Sequence, residues 1–502
     1  VLSFSIDRHV RKKHPPVESL ADIGDEPALP SYEWIKRQAN ARGVVVAELL
    51  AMSEGRDPFY CGSQTDWKEA RWYAESVWAR FGPGLKGKPH LRALHYLAVT
   101  AKEPLLWPDG EPYLNTERDT DRLYECSRYS RWLSLTDAEL LDDHRNAEPI
   151  YSAPGPGFQF GPSVDAGEWT SWILPRIESL SLLYTGEWDI PQPDISGYDP
   201  DEYLDQPNLV GVFIEKSTMD SWLVPLCQEL RADLYVGSGV QSITNAARFV
   251  QRAKELNKSA HLLVISDNDP QGLHMPITAS RHVEYRLRQI GCDLWVTVDS
   301  LALTAEQIDQ YNLPRKPIKE SDQGRDRYEL LYGRGAVELD ALEALHPGAL
   351  AEIVRDAVSA YRDDDIEGSL EEAGASANAA LEEGWDEHVA PIEESVLEVR
   401  EKAFAIARTF GKRLAKLDAE LQAKLKPHKR RLDRLREQAE EAVEEVIEQA
   451  TAELPERPRP EMHAPEGPHL FDSKRTYFEQ LAHYHEISPP SHKLPQPKKK
   501  RR

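Results

Sequence analysis

Three carboxylates stand where a parallel sheet would gather them. Glu215 follows the apolar run Leu209-Val210-Gly211-Val212-Phe213-Ile214, and Asp267 and Asp269 follow Leu262-Leu263-Val264-Ile265 in the segment Ser266-Asp267-Asn268-Asp269-Pro270-Gln271-Gly272. The two aspartates lie 52 and 54 residues beyond Glu215, a separation of about two strand–helix units. In an open parallel sheet, ligands bind outside the carboxyl ends of the strands. An i,i+2 pair on one strand-end loop and an acid on the neighbouring strand end can then point into one small volume. Three carboxylates there repel one another unless a cation lies between them. An all-oxygen set suits Mg²⁺ or Mn²⁺ rather than zinc. Such an ion orients phosphate oxygens and stabilises a leaving oxyanion.

The elements needed to position these acids are legible around them. Leu234-Tyr235-Val236 and Leu294-Trp295-Val296-Thr297-Val298 add two further strands, and helical stretches over about 243–256 and 279–290 alternate with the strands. Continuous apolar strands separated by helices imply a parallel sheet buried on both faces. The chain thus reads as a multidomain α/β protein, with this sheet domain over 208–362. Residues 31–84 form an N-terminal helical region whose aromatics, Trp67 to Phe81, suit a core. Residues 85–150 read as helix, short β-wing and helix, with Pro108-Asp109-Gly110 as the turn and Asn115 or Thr116 as the cap of the second helix. That helix carries Arg118, Arg122, Arg128 and Arg131. The pattern suits a winged-helix DNA-binding domain, but taken alone it suits an ordinary helical domain with a solvated charged face somewhat better. The remaining expectations are a flexible arm over 1–30, a linker over 151–207, an acidic linker over 363–390, a helical hairpin or coiled coil over 391–450 broken or kinked at Pro427, and a mostly disordered tail over 451–502.

Charge first argues against a polyanion partner, because 61 Lys+Arg against 85 Asp+Glu leave a net −24. Its location reverses that inference. Residues 363–400 hold thirteen acids and one base, and 187–205 hold seven acids and no base, so 57 residues carry nineteen of the 24 net charges. The rest is near balance, and the chain ends in the basic run Pro497-Lys498-Lys499-Lys500-Arg501-Arg502. Cys61, Cys126, Cys227 and Cys292 have no metal-ligand spacing and read as structural thiols of a reduced chain. No apolar run approaches the ~18–20 residues that span a bilayer, and no signal peptide is visible, so no membrane association and a cytoplasmic, nucleoid-associated location are expected.

These residues carry a family resemblance over about 85–360. Residues 209–300 resemble a Toprim domain, and most closely the A subunit of topoisomerase VI and its relative, the meiotic double-strand-break transesterase. Val212-Phe213-Ile214-Glu215-Lys216 resembles that family's strand ending in Glu-Lys, and Asp267 to Gly272 resembles its D-x-D-P-x-G segment. Val236-Gly237-Ser238-Gly239, followed by Thr244 to Arg248, sits where the family has a glycine loop, though the family's Pro-Asp before the Thr-Arg pair is absent. Glu338-Leu339-Asp340-Ala341-Leu342 is similar to a later family segment. Arg92-Ala93-Leu94-His95-Tyr96 matches the spacing of the family's Arg-x-x-(aromatic)-Tyr motif on a winged-helix domain, with His95 at the first aromatic position. The resemblance implies that Tyr96 attacks a DNA phosphate to form a 5′-phosphotyrosyl link. It also implies that Arg92 stabilises that phosphate, and that Glu215, Asp267 and Asp269 hold Mg²⁺ or Mn²⁺. His95 is then a proton carrier or a packing residue.

The expected function is metal-dependent cleavage of double-stranded DNA, with Arg92, Arg118, Arg122, Arg128 and Arg131 as DNA contacts. The resemblance further implies a homodimer and an ATPase partner for strand passage, since this chain shows neither a P-loop nor a GHKL-type pattern. Two alternatives stand beside it: a Toprim hydrolytic nuclease using metal and water, and a non-catalytic DNA-binding assembly subunit.

Overall fold

The computed structural model describes residues 26–488 apart from 86–87, 142–147, 155–161, 170–175, 180–181, 185–189, 199–205, 215–218, 238–242, 321, 323, 411–417 and 466. Glu215, the glycine-loop residues Ser238 and Gly239, Leu414 and Leu417, the basic run 497–502 and the expected arm up to residue 25 lie outside the described residues.

Helices open the chain. α1 (Tyr32–Arg42) starts on Ser31, whose hydroxyl accepts from Trp34 N, and ends on Gly43 at φ 64°. α2 (Gln64–Trp72) begins with a reciprocal cap between Ser63 and Asp66. It runs through a wider turn at Tyr73–Trp78 into α3 (Ala79–Phe81). α4 (Leu91–Val99) and α5 (Glu117–Trp132) flank a hairpin in which Leu106 bridges Pro112 and Tyr113 N donates to Leu105 O at 2.8 Å. Thr116 is the residue that caps α5. Stacked indoles of Trp72 and Trp107, 4.3 Å apart, join Leu94, Leu105, Leu123 and Cys126 in one core. The expected order of helix, wing-like hairpin and helix is therefore present.

β1 (Ser163–Asp165), β2 (Arg176–Ser179), β3 (Leu182–Tyr184) and β4 (Asp194–Ser196) make two antiparallel ladders, β1 with β4 and β2 with β3. The stretch expected to be a linker over 151–207 thus carries strands. Its prolines and glycines punctuate short strands.

The main sheet follows. β5 (Asn208–Ile214), α6 (Asp220–Glu229), β6 (Asp233–Val236), α7 (Ile243–Leu256), β7 (Ser259–Ile265), α8 (His274–Gln289) and β8 (Val296–Ala302) alternate along the chain. The strand order is β6-β5-β7-β8, all parallel, with β9 (Phe471–Asp472) added antiparallel at the β8 edge. Side chains alternate between the faces as strand geometry requires. Val210, Val212 and Ile214 pack with Leu223 and Leu226 of α6, while Leu209 and Phe213 pack with Phe249 of α7 and Val283 and Leu287 of α8. α9 (Ala305–Gln310), α10 (Arg325–Tyr332), α11 (Leu339–Leu345) and α12 (Ala349–Ser359) complete this region. Leu350 and Val354 of α12 extend the α6 face.

α13 (Ile366–His388), α14 (Ala390–Phe410) and α15 (Asp418–Glu453) follow, and α16 (Tyr477–Ile487) closes the described chain. Three expectations are corrected here. Residues 363–390 are not a linker: apolar Ile366, Leu370, Ala377 and Leu381 recur at helical spacing and are buried. Pro427 does not end α15, because Leu421 and Leu425 before it and Leu432 after it are all buried. That packing outweighs the roughly 3 kcal/mol cost of an interior proline. The tail is not mostly disordered: Phe471, Tyr477, Leu481 and Tyr484 are buried, which anchors β9 and α16.

The chain forms two compact units. One comprises Val1–Ala153, Asn208–Arg362 and His463–Arg502, and the other Pro154–Pro207 and Asp363–Met462. The second unit has its own core of Leu381, Val396, Val399, Leu432, Ala439 and Val446 from α13, α14 and α15. Both acidic stretches belong to it. Its segment 154–207 has ten acids and one base, and 363–462 has twenty-six acids and fifteen bases, a net −20 of the chain's −24. Among the described residues no helix is long and apolar enough to cross a membrane.

Candidate functional site

The sheet creates one crevice by topology. From β5 the chain leaves into α6 on one face, and from β7 it leaves into α8 on the other. Neighbouring parallel strands whose connections diverge this way mark a topological switch point, where ligands bind beyond the strand ends. β5 and β7 are those neighbours, and Ile214 pairs with Ile265 at the end of their ladder. Ile214 directly precedes Glu215, and Ile265 precedes Ser266-Asp267. The strands that precede the predicted acids in the sequence are thus adjacent in space.

The loop after β7 is held from several sides. Ser266 N donates to Ala302 O at 2.7 Å, and Leu303 N to Ser266 O at 2.8 Å. Asn268 exchanges main-chain bonds with Val337, both 2.9 Å, and its Nδ2 donates to Leu303 O at 2.9 Å. Tyr328 OH donates to Asn268 O at 2.8 Å and also lies against its Oδ1. With Asn268 locked inward, its neighbours Asp267 and Asp269 remain the candidate ligands of this loop. Asp267 is 9% exposed, and its Oδ1 accepts from Leu339 N at 2.8 Å. Asp269 Oδ1 accepts from Gln271 N at 2.9 Å and Gly272 N at 2.7 Å. Each aspartate therefore has one oxygen fixed by main-chain donors.

Gly272 is required by space. A Cβ there would lie 1.9 Å from Asp267 O, because the loop folds back on itself. Ser266 Oγ closes the same turn by donating to Gly272 O at 2.9 Å. Pro270 packs on Gly324, where a Cβ would meet Pro270 Cβ at 2.9 Å. Burial raises the Asp269 pKa, and the negative charges of Asp267 and Asp322 raise it further, against the main-chain donors that lower it. A carboxylate held near two others in a poorly solvated loop is the electrostatic setting that a divalent cation relieves. Asp267 and Asp269 fit a hard, oxygen-seeking ion by donor type. Among the described residues no group of three or more metal-ligating side chains is assembled, and the third predicted ligand, Glu215, lies outside them.

Tyr96 and Arg92 share the exposed face of α4, with Leu94, His95 and Ala98 on the buried one. Tyr96 is 54% exposed, an unusually open position for a tyrosine on an amphipathic helix. Its ring contact is with His95 of its own helix, not with the loop after β7. His95 is buried, with Nδ1 2.6 Å from Tyr113 OH and Nε2 2.9 Å from Asn115 Oδ1. Both ring nitrogens are engaged, which makes His95 a packing residue that ties α4 to the hairpin.

The α5 arginines separate in role. Arg118 is exposed. Arg122 bonds Glu69 at 3.0 Å and Asp109 at 2.8 Å, and its guanidinium lies 4.4 Å from the Trp107 ring centre. Arg128 donates to Gly55 O at 3.1 Å and covers Trp132. Arg131 is half-buried at the end of the helix. Arg122 and Arg128 therefore brace the helices against their surroundings, and Arg118 is the residue of the four that faces solvent.

Sequence reasoning missed Asp322, which adds negative potential at Asp269 from a polar loop without periodicity. It also gave little weight to Leu339, whose main-chain N–H holds Asp267; the resemblance of 338–342 was its only signal. No protein-family model matches this chain, and no curated protein matches it.

Proposed function

We propose that this chain is a topoisomerase VI A-like, metal-dependent DNA-cleaving protein, with α4, the hairpin and α5 as a winged-helix domain and the five-stranded sheet as a Toprim domain. The observation that carries the reading is the placement of the Asp267–Gly272 loop at the switch point, where the strand ending before Glu215 pairs with the strand ending before Asp267. Asp267 and Asp269, with Glu215, would hold Mg²⁺ or Mn²⁺, which when bound supplies positive charge for phosphate oxygens. Exposed Tyr96 is the nucleophile. Its oxygen bonds to phosphorus, the bond to the deoxyribose 3′-oxygen breaks, and a 5′-phosphotyrosyl link remains from which the strand can be rejoined. Arg92, one turn earlier on the same exposed face, neutralises the attacked phosphate. Arg118 contributes backbone contact. In keeping with the resemblance, the working form is a homodimer on double-stranded DNA, paired with an ATPase subunit for strand passage, in a nucleoid-associated cytoplasmic setting.

The test is a denaturing gel of supercoiled plasmid incubated with the protein and Mg²⁺ or Mn²⁺, with and without a candidate ATPase partner. Wild type gives a covalent protein–DNA adduct, and Tyr96→Phe and Asp267→Ala give none. Cutting that survives Tyr96→Phe but not Asp267→Ala assigns hydrolysis instead. Intact plasmid in every lane assigns a non-catalytic DNA-binding subunit.

A further inference from the structure

A cavity of about 380 Å³ lies beside the loop after β7, within the range of about 300–1,000 Å³ typical of small-molecule sites. Its floor is apolar, with Ile277, Leu303 and Leu470 buried. Ser300 stands exposed on its wall. Two polar side chains converge on it from different elements. Arg327 of α10 donates to Ser488 Oγ at 2.6 Å. His483 of α16 has its Nδ1 3.7 Å from Glu486 Oε2, and its buried Nε2 makes no hydrogen bond of good geometry among the described residues, although the His469 main chain lies near enough to favour the ring's protonated form. A buried ring nitrogen without a well-aligned partner is costly to desolvate, so a cavity wall carrying one favours a polar ligand atom.

The charge of that atom follows from the wall. Arg327 brings a full positive charge, and burial works against it, so a nearby anion is favourable. Asp299 also lines the cavity, but His469 Nδ1 lies 2.7 Å from its Oδ2, and Leu470 N donates to its Oδ1 at 3.0 Å. Its charge is thereby compensated within the protein. The amides at the start of α8 are already used: Leu273 N, His274 N and Met275 N donate to Asp269 O, Gln271 O and Gly272 O. One guanidinium without a nest of free amides suits a monoanion better than a phosphate dianion.

We propose that this cavity binds a small organic monocarboxylate, its carboxylate on Arg327 and His483 and its apolar body against Ile277, Leu303 and Leu470. Such a ligand bridges α10, α16 and the base of the aspartate loop, and so fastens the C-terminal helix to the sheet. The inference does not depend on the DNA-cleavage reading, because binding is measured without DNA or metal.

The test is a ¹⁹F NMR titration of the full chain with 6-fluoro-2-naphthoate, and with its neutral primary amide as control. Saturable binding of the acid is expected, weakened at least about tenfold in the amide and in Arg327→Met, and abolished by Ser300→Trp, which fills the cavity from an exposed position. Thermal midpoints of both variants show whether they remain folded, and Arg327→Met serves if Ser300→Trp does not. Absence of saturable binding, equal affinity for acid and amide, or binding indifferent to both substitutions overturns the proposal.

Discussion

Gly272→Ala gives the sharpest link between loop geometry and chemistry. The added methyl would stand 1.9 Å from Asp267 O and 2.9 Å from Asp267 C. Non-bonded carbons and oxygens do not approach closer than about 3 Å, so the two ends of the loop must separate by at least ~1 Å. The loop cannot absorb this quietly, because Ser266 Oγ and Asp269 Oδ1 both bond Gly272, and Asn268 is fixed to Val337 and Tyr328. Overpacking of this kind costs about 1–3 kcal/mol in stability, which a folded unit of this size survives. The chemistry is less tolerant: a displacement of about 1 Å in a positioning group can lower the rate by about 10²-fold. Gly272→Ala should therefore stay folded, bind Mn²⁺ at least about tenfold more weakly by isothermal titration, and lose about 10²-fold in metal-dependent plasmid cleavage. A variant that binds Mn²⁺ and cuts within twofold of wild type refutes the argument that the turn positions Asp267 and Asp269.

The other expectations rest on packing and charge. Arg281 is fully buried, with Nε 3.1 Å from both Asp57 oxygens and further bonds to Glu284 and Tyr477 OH, so Asp57→Ala should cost about 3–5 kcal/mol in urea unfolding and speed hydrogen exchange in α16. Burial, helped by nearby positive charge, holds His261 and His282 down to about 3, so both stay neutral in the native state while the unfolded chain protonates below about 6.5. Stability should fall as pH drops from about 6.5 towards 3, by about 1.4 kcal/mol per pH unit for each histidine, and His282→Gln should flatten that slope in a calorimetric series. His469 acts in the opposite sense: its bond to Asp299 raises its pKa, so its contribution is complete below the unfolded value and is lost as pH rises through the raised one. Asn208 Nδ2 donates to Tyr361 O at 2.9 Å and His463 O at 2.8 Å, so the ends flanking 363–462 meet. Joining Arg362 to His463 by a short linker, with 154–207 also replaced, should leave a folded first unit whose net charge is about −4; if the acidic unit opposes polyanion binding, DNA affinity rises in a salt titration, and unchanged affinity rejects that effect.

Much of the sheet was legible from the chain, because fully buried parallel strands leave unbroken apolar runs such as Leu209–Ile214. The same holds for the helix–hairpin–helix segment, where the Pro108-Asp109-Gly110 turn and the Thr116 cap are local signals. β9 and α16 were not legible. Phe471 and Tyr477 read as isolated apolar residues among prolines and histidines, and they become core only against β8 and the N-terminal helices. The acidic stretch at 363–390 misled for the opposite reason: its charges dominate the composition, while the helical face of Ile366, Leu370 and Leu381 is sparse.

By itself, the amino-acid order determined the residue types and the strand ends: two aspartates at i,i+2 after one apolar run, a glutamate after another, and a tyrosine four residues after an arginine on a helix. These are properties of short segments, and short segments carry their own periodicity. Only the tertiary structure decided which strands are neighbours, that Asn268 is locked inward while Asp267 is held by the main chain of Leu339, that His95 and Arg122 are braces, and that the net charge collects in one unit. Those outcomes depend on groups tens to hundreds of residues apart competing for the same hydrogen bonds and the same space, and that competition is settled only when the chain is packed.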